Sequence, residues 1–543
     1  MRSSLTAAAL AMAAAALSPS CVKRAALMPP AKNDAPTAEY RNPILPGFYP
    51  DPSACRAGDE YYLVTSSFEY FPGVPIFQSK DLVHWRQIGH CLTRPSQLPL
   101  AHAKSSQGIF APTLRFHQGT FYLVTTNVSG GGSFYVTAKD PSGPWSEPVW
   151  LRESSWGMDP SLLFDDDGKV YYTRHGEREH GGIFQAELDI EKGELKGEAR
   201  LIWRGTGGVW PEGPHLYHVG HYYYLLISEG GTGYEHMLTV ARSPTPWGPF
   251  EPYAENPILS HRAHRDLPIQ ATGHGDLVEA VDGAWWVVLL GIRPWDRRHH
   301  HLGRETFLAP VTWNAAAWPE VNHRQPIALR MDGPGLASAA ETEASMRDDF
   351  SSERLSFEWN FLRNPHDADW SLTARPGFLR LLGTSVSLDT IGSPAFVGRR
   401  QQHFRCRASA ELQFEPQTEE QEAGLTVRAN EDNHYDLAVF GGAGGRRVRL
   451  RTRIHGISHT VAEGDLAAGP VILSIQARED RYEFFFATPG GASRSLGAAP
   501  TAPLSSEEAG GFTGAYFGMY ASAGSRSSMP PADFDWFEYA PLP

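Results

Sequence analysis

The sequence predicts an all-β protein: a five-bladed β-propeller followed by a β-sandwich. Five aromatic and β-branched strand runs recur at intervals of roughly 50–60 residues, each opened by a small turn motif. A second echo, a charged turn ending in Trp, follows three of those runs. Beyond residue 345 the pattern becomes short alternating strands with Gly and Asp turns and no helical period. Composition agrees, since 15 Trp and 20 Tyr stand beside 53 Gly and 42 Pro in 543 residues. That is the mixture of a turn-rich β protein whose surface can stack on flat ligands.

The first element, residues 1–21, reads as a secretory signal peptide. MRSSLTAAALAMAAAALSPS carries Arg2, an apolar run too short to span a bilayer, and then small residues. The product is therefore expected in the periplasm or outside the cell. Cys21 follows, and a lipid anchor there is a second reading that Pro19 and Ser20 fit loosely. Residues 22–40 are Pro/Ala-rich and read as a linker. No later stretch reaches about 18 consecutive apolar residues, so no membrane span is expected.

The propeller is assigned to residues 41–330. Its strand runs are YYLVTSSF at Tyr61, FYLVTTNV at Phe121, VYYT at Val170, YYYLLIS at Tyr222 and WWVVLL at Trp285. About ten residues upstream stand YPDPS, FAPTL, MDPSL, PEGPH and TGHGD, with Asp51, Pro112, Asp159, Glu212 and His274 at the place read as equivalent. The second echo is SKDLVHW (79–85), AKDPSGPW (138–145) and ARSPTPW (241–247). In a propeller the first strand of each blade lines the axis, so these corners converge although remote in sequence. The repeats stop near MDGPGLAS (331–338), and residues 345–543 read as the sandwich. Two cores suit a chain longer than one core usually serves.

Charge and cysteine content exclude several classes. The net charge is −13 with no long Lys/Arg block, which disfavours nucleic acid as a partner. Cys21, Cys55, Cys91 and Cys406 have neither zinc-ribbon spacing nor disulfide-scaffold density, and read as small core residues. No dinucleotide or phosphate loop precedes a helix, so no organic cofactor is expected. Asp165, Asp166 and Asp167 in DDDG read as a solvated hairpin turn, with a structural calcium ion as the minor alternative. His299, His300 and His301 cannot all face one metal, because successive side chains alternate; they read as a loop beside the pocket.

Three carboxylates brought to one pocket are costly unless they share protons, bind a metal or meet a cation. Asp51, Asp159 and Glu212 suit general acid–base hydrolysis of a glycosidic bond, with one group ionised to activate water and another protonated to release the leaving oxygen. The competing reading of each Asp-Pro, a mere turn, weakens once three acids share a repeat position. The residues alone do not say which acid takes which role.

NPILPGFYPDPS, SSFEYFPGVPIFQSKDLVHW, GMDPSLLFDDDGK, WPEGPHLY, TGHGDLVE and LGRETFLAPVTW together resemble glycoside hydrolase family 43, in its two-domain β-xylosidase and α-L-arabinofuranosidase form. The likeness covers nearly the whole chain after the linker and extends to FTGAYFGMYA and ADFDWFEY. It implies a concanavalin A-like sandwich and single-displacement hydrolysis with inversion, for which base and acid stand roughly 6.5–9.5 Å apart. By motif it implies Asp51 as general base, Glu212 as general acid, and Asp159 as the group that raises and orients the acid. Arg304 in LGRET would hold the base and a sugar hydroxyl; its alternative is a surface salt bridge.

The resemblance puts His274 at the pocket floor, facing the acids or a central ion through water, against the alternative of a packed core histidine. Phe68 would wall the sugar pocket; its alternative is a core aromatic. Phe110 stands where relatives carry Trp, so the stacking surface there is altered. Phe512 in FTGAYF would be lent by the sandwich; its alternative is a strand-core Phe. The implied partner is a hemicellulose oligosaccharide, and assembly as a homo-oligomer stays open. The likeness favours an exo-acting enzyme releasing terminal L-arabinofuranose, with β-xylosidase as the alternative. A propeller that binds carbohydrate without catalysis is disfavoured by the complete acid set, and an endo-acting arabinanase by the sandwich.

Overall fold

The computed structural model describes residues 37–153, 155–176, 181–334, 346–442, 444–526 and 529–543. The leader, Cys21 and residues 22–36 of the linker lie outside the described residues. Cys55, Cys91 and Cys406 are buried free thiols.

Five antiparallel meanders of four or five strands follow one another along the chain. Their first strands are Ser53–Ala57, Thr113–His117, Gly157–Phe164, Glu212–Val219 and Gln270–Glu279. Each of these strands packs on the next, and the fifth packs on the first, so the five sheets close a ring about one axis as blades I to V. The ring is tied shut at the N-terminus. Thr37–Arg41, whose first four residues had read as linker, pairs with Arg330–Pro334, and the Asn42 amide exchanges two 2.9 Å hydrogen bonds with the backbone of Leu308.

The DDDG hairpin is only partly solvated. Asp166 and Asp167 are exposed, but Asp165 is buried and accepts hydrogen bonds from Tyr223 (2.7 Å) and His218 (2.8 Å) of blade IV. It pins blade III to its neighbour, a use that turn chemistry alone does not reveal.

The sandwich is two antiparallel sheets of eight and six strands. Val471–Ala477 and Arg481–Ala487 alternate strictly between buried and half-buried positions, the period-2 signature of strands with one face on a core. The domain is joined to the propeller by Phe361–Leu362, which pairs with Tyr70–Phe71 of blade I. Beside that joint the Tyr70 and Tyr516 rings stack 3.9 Å apart, and Arg400 Nε donates to the Phe48 carbonyl (2.6 Å).

Four of the five corners at the innermost strands, blade II excepted, share an unusual backbone. Asp51 and Asp159 both have φ 53°, Gly213 has φ 57° and His274 has φ 46°. This left-handed region is sparsely occupied except by Gly, Asn, Asp and His. The pairing register slips by one residue at Met158/Ser161 and at Glu212/His215, and twice between Gln270 and Asp276. These are β-bulges, which re-aim side chains beside functional sites. The true equivalents are therefore Asp51, Ala111, Asp159, Gly213 and His274, four of them followed by Pro and the fifth by Gly. Pro112 lies one place after the corner and Glu212 one place before it, which corrects the sequence alignment of the repeats.

One step deeper in the channel, Ser53, Arg115, His215, Tyr217 and Asp276 form a buried network. Arg115 donates to both Asp276 oxygens (2.8 and 3.2 Å) and to His215 Nδ1 (2.9 Å). Tyr217 and Ser53 also donate to Asp276, at 2.5 and 2.6 Å. Burial alone would raise the Asp276 carboxyl, but Arg115, His215 and the Ser53 hydroxyl hold it at about 2. Removing one partner of such a pair strands a buried charge. Arg115→Met is expected to cost about 3 kcal/mol, seen as a lower unfolding midpoint at fixed scan rate; an unchanged midpoint would show that the network is not a strut.

Candidate active site

Asp51 sits at the head of blade I, and its counter-charge comes from blade V. Arg304 donates from Nη1 to Oδ1 (2.8 Å) and from Nη2 to Oδ2 (3.3 Å), a two-pronged clamp. The geometry is fixed by the backbone: Tyr49 N–H donates to the Arg304 carbonyl (3.1 Å), and Thr306 Oγ1 donates to the Tyr49 carbonyl (2.6 Å). Ser66 donates to Asp51 Oδ2 (2.6 Å), and His274 Nδ1 lies 3.6 Å from Oδ1. Burial pushes the Asp51 carboxyl up, but Arg304, His274 and the Ser66 hydroxyl outweigh it and hold the group below the usual range. Asp51 is ionised.

Glu212 behaves in the opposite way. It opens the first strand of blade IV and is half-buried, with no cation bonded to it among the described residues. Burial raises its pKa well above the ordinary value, and the charges of Asp159 and then Asp51 raise it further. Glu212 is therefore the carboxyl that stays protonated. Asp159 accepts a hydrogen bond from Gly213 N–H (3.2 Å), which ties it to the residue beside Glu212. Its own pKa is also raised, chiefly by burial and also by the charge of Asp51.

His274 fits over the bare backbone of blade IV: a Cβ on Gly213 would lie 3.0–3.1 Å from its ring. One layer deeper in the channel lies the Arg115–Asp276 pair, whose opposite charges offset each other. Among the described residues no group of three or more His, Cys, Asp or Glu converges as metal ligands.

The aromatic wall joins both domains. Phe512 of the sandwich is 37% exposed, with its ring 6.2 Å from Phe68 and 6.3 Å from Phe110. The Arg304 guanidinium lies 5.5 Å from the Phe512 ring and 5.6 Å from that of Phe68. Phe68 itself is 2% exposed, so it backs Phe110 and Phe512 and offers little open face. The adjacent histidines diverge: His299 meets Asp296 and Glu508, His300 meets Glu507, and His301 packs on Phe404 and Tyr482. They clasp the sandwich to the rim.

Several partners were not singled out from sequence. Ser66 binds Asp51, and Ser228, at the matching place of blade IV, accepts the His274 N–H; the shared hydroxyl after VT and LI was a usable signal. Thr232 accepts a hydrogen bond from Arg304 Nη1 (3.1 Å), and His236 Nε2 lies 3.9 Å from Glu212 Oε1. His175 Nδ1 donates to the Pro211 carbonyl (2.7 Å) and so steadies the segment bearing Glu212. Trp156 and Trp210 flank that imidazole.

Residues 40–319 match the family described as glycosyl hydrolases family 43, and residues 347–540 match the beta xylosidase C-terminal concanavalin A-like domain. A non-reducing end alpha-L-arabinofuranosidase of Bacteroides ovatus is 49% identical over 92% of this chain and 94% of its own length. A xylosidase/arabinosidase of Butyrivibrio fibrisolvens is 42% identical over 91% and 98%. A xylan 1,3-beta-xylosidase of a Vibrio species is 36% identical over 93% and 99%. Among solved structures, one described as Bacteroides ovatus Xyloglucan PUL GH43B superposes with a TM-score of 0.89 at 48% identity, over 93% of this chain and all of its own. A xylan beta-1,4-xylosidase from Bacillus halodurans gives 0.85 at 36% identity, over 92% and 100%.

Arg304→Met removes the cation that opposes burial at Asp51. The Asp51 carboxyl is then expected to titrate at higher pH, read by carbon-13 NMR of that side chain. An unmoved titration would mean that Ser66 and His274 suffice.

Proposed function

The chain belongs to glycosyl hydrolases family 43, and we propose that it removes single L-arabinofuranose residues from the non-reducing ends of hemicellulose fragments, with inversion. One observation carries the mechanism: two carboxyls of one site are driven to opposite protonation states, Asp51 ionised against Arg304 and Glu212 protonated by burial and by Asp159. In the reaction Asp51 takes a proton from water as the oxygen attacks the anomeric carbon. Glu212 gives its proton to the departing glycosidic oxygen. Asp159 orients the acid through Gly213 and, when ionised, keeps it protonated. Arg304 holds Asp51 as a base and aims it.

The partly exposed rings of Phe110 and Phe512 support a closed pocket for one sugar over an open groove, hence attack at chain ends. Arabinofuranose is favoured because the relative at 49% identity carries that activity in its description, whereas the Vibrio xylosidase stands at 36%. β-D-Xylosidase is the second reading, on the strength of that Vibrio relative. Xyloglucan in the description of the solved neighbour makes arabinosylated xyloglucan fragments the first oligosaccharides to assay. Product anomers followed by proton NMR test inversion directly, and a retained anomer would overturn the single-displacement scheme.

Glu212→Ala is expected to abolish turnover of natural glycosides while sparing aryl glycosides with good leaving groups, which need no proton. Asp51→Ala should disable both. Equal losses on both substrate classes in the Glu212 variant would contradict its role. The pH dependence of kcat/KM should be a broad bell. Activity rises as pH passes the lowered pKa of Asp51, because the base must ionise. It falls as pH passes the raised pKa of Glu212, because the acid must keep its proton.

Export of the enzyme is proposed on residues 1–21 alone. Mass spectrometry of the mature N-terminus decides it: a lipid-modified Cys21 marks an anchored form, and an intact Met1 excludes export by this signal.

A further inference from the structure

His236 stands immediately before Met237–Ser243, the third strand of blade IV. It is 1% exposed, and its ring fills the space that Gly273 leaves open, where a Cβ would meet ring atoms at 2.3–2.5 Å. Nδ1 lies 3.3 Å from the Ala271 carbonyl. A carbonyl can only accept, so Nδ1 carries the hydrogen and Nε2 is left with a lone pair. Among the described residues that nitrogen has no hydrogen-bond partner, and it points at the pocket, 3.9 Å from Glu212 Oε1. A buried, unpartnered acceptor is costly to leave unmade.

We infer that His236 is a positioning residue for Glu212, its neutral Nε2 accepting the carboxyl proton in the resting enzyme and so holding the acid protonated and in a fixed rotamer. The inference rests on the reading of Glu212 as general acid. A small side-chain rotation closes the present gap, as is common for catalytic hydrogen bonds before substrate arrives. When a glycoside enters, that hydrogen bond is exchanged for one to the glycosidic oxygen. The proton then leaves Glu212 for the departing alcohol while His236 keeps its Nδ1–H and gains nothing.

The surroundings agree with a neutral imidazole. Glu212, Asp51, Arg304 and His274 are the charged or titratable groups facing it. Burial first, then His274 and Arg304, push the His236 pKa down to about 3, against weaker opposing effects of the Ala271 carbonyl and Asp51. It therefore stays neutral across the working range of the acid. A cationic imidazole here would do the reverse, drawing Glu212 toward its carboxylate.

The experiment compares pH profiles of the full-length enzyme on an aryl arabinofuranoside with a good leaving group and on an arabino-oligosaccharide. His236→Phe keeps the bulk and removes the lone pair. Gly273→Ala leaves His236 in the chain but displaces its ring. In both, the alkaline limb of kcat/KM on the oligosaccharide is expected about one pH unit lower. The oligosaccharide kcat should fall about tenfold or more, while the aryl substrate changes little. The aryl activity also reports folding; should the Phe variant lose it, Gly273→Ala is read instead. An unmoved alkaline limb, or equal loss on both substrates with an unchanged melting temperature, overturns the inference. If Glu212→Ala itself lacks the leaving-group contrast, the general-acid reading has failed; if only the His236 variants lack it, the role of His236 has.

Discussion

A strand entering the axis in ordinary extended geometry sends successive side chains alternately into the channel and into the blade. At Asp51, Asp159, Gly213 and His274 the backbone turns left-handed instead, and in blades III to V the turn comes with an extra residue in the pairing register. Each such non-glycine residue stores about 1 kcal/mol or more of strain, so the conformation persists only where surrounding bonds over-determine it. Those bonds are present: Ser66 and Arg304 on Asp51, Gly213 N–H on Asp159, Ser228 on the His274 backbone. The corner turns a sheet into a ring of inward-facing functional groups, and the charges, hydrogen bonds and aromatic wall are arranged on it.

Within that ring the same burial gives opposite results, because the guanidinium is shared unequally. Arg304 is bonded to Asp51 and reaches Glu212 only through space, as the weakest of the influences on that carboxyl. Glu212 is left to the desolvation penalty and to two like charges. Asp159 lies between, raised by burial but tied to a backbone N–H. The Arg115 and Asp276 pair one layer down isolates this balance: Asp276, fully compensated by its own cation and donors, adds no unpaired charge to the pocket floor.

The repeat was legible because strand runs, upstream corners and Trp echoes recur together, and because Asp-Pro occurs twice at the same step. The alignment at blade IV was off by one. Gly213-Pro214 is the counterpart of Asp51-Pro52, but an eye drawn to the charge takes Glu212 instead. Reading the residue before Pro, rather than the acid, would have found it, since a left-handed site accepts Gly as readily as Asp. Thr232 and His236 were not legible as partners, because GGTGYEHM is a loop whose contacts with Arg304 and Ala271 are set by blade V. Asp165 was misplaced for a similar reason: DDDG has turn chemistry, while its burial comes from His218 and Tyr223 some fifty residues onward.

Phe512 and the sandwich bear on the base as well as on the sugar pocket. Arg304 lies between two rings, one from each domain, and its Nε donates to the Phe512 carbonyl at 3.4 Å. The loop that carries it is held from the other side, where Ala515 N–H donates to the His301 carbonyl at 2.8 Å. Gly303 has φ 83° and abuts Gly514 so closely that a Cβ would fall 2.8–2.9 Å from its backbone. A side chain there would force the domains apart and loosen the loop bearing Arg304, and with it the charge that keeps Asp51 ionised. The two glycines therefore belong to the electrostatics of the site although neither approaches a substrate. Any motion separating sandwich from propeller would weaken the base at the same moment as it opens the pocket.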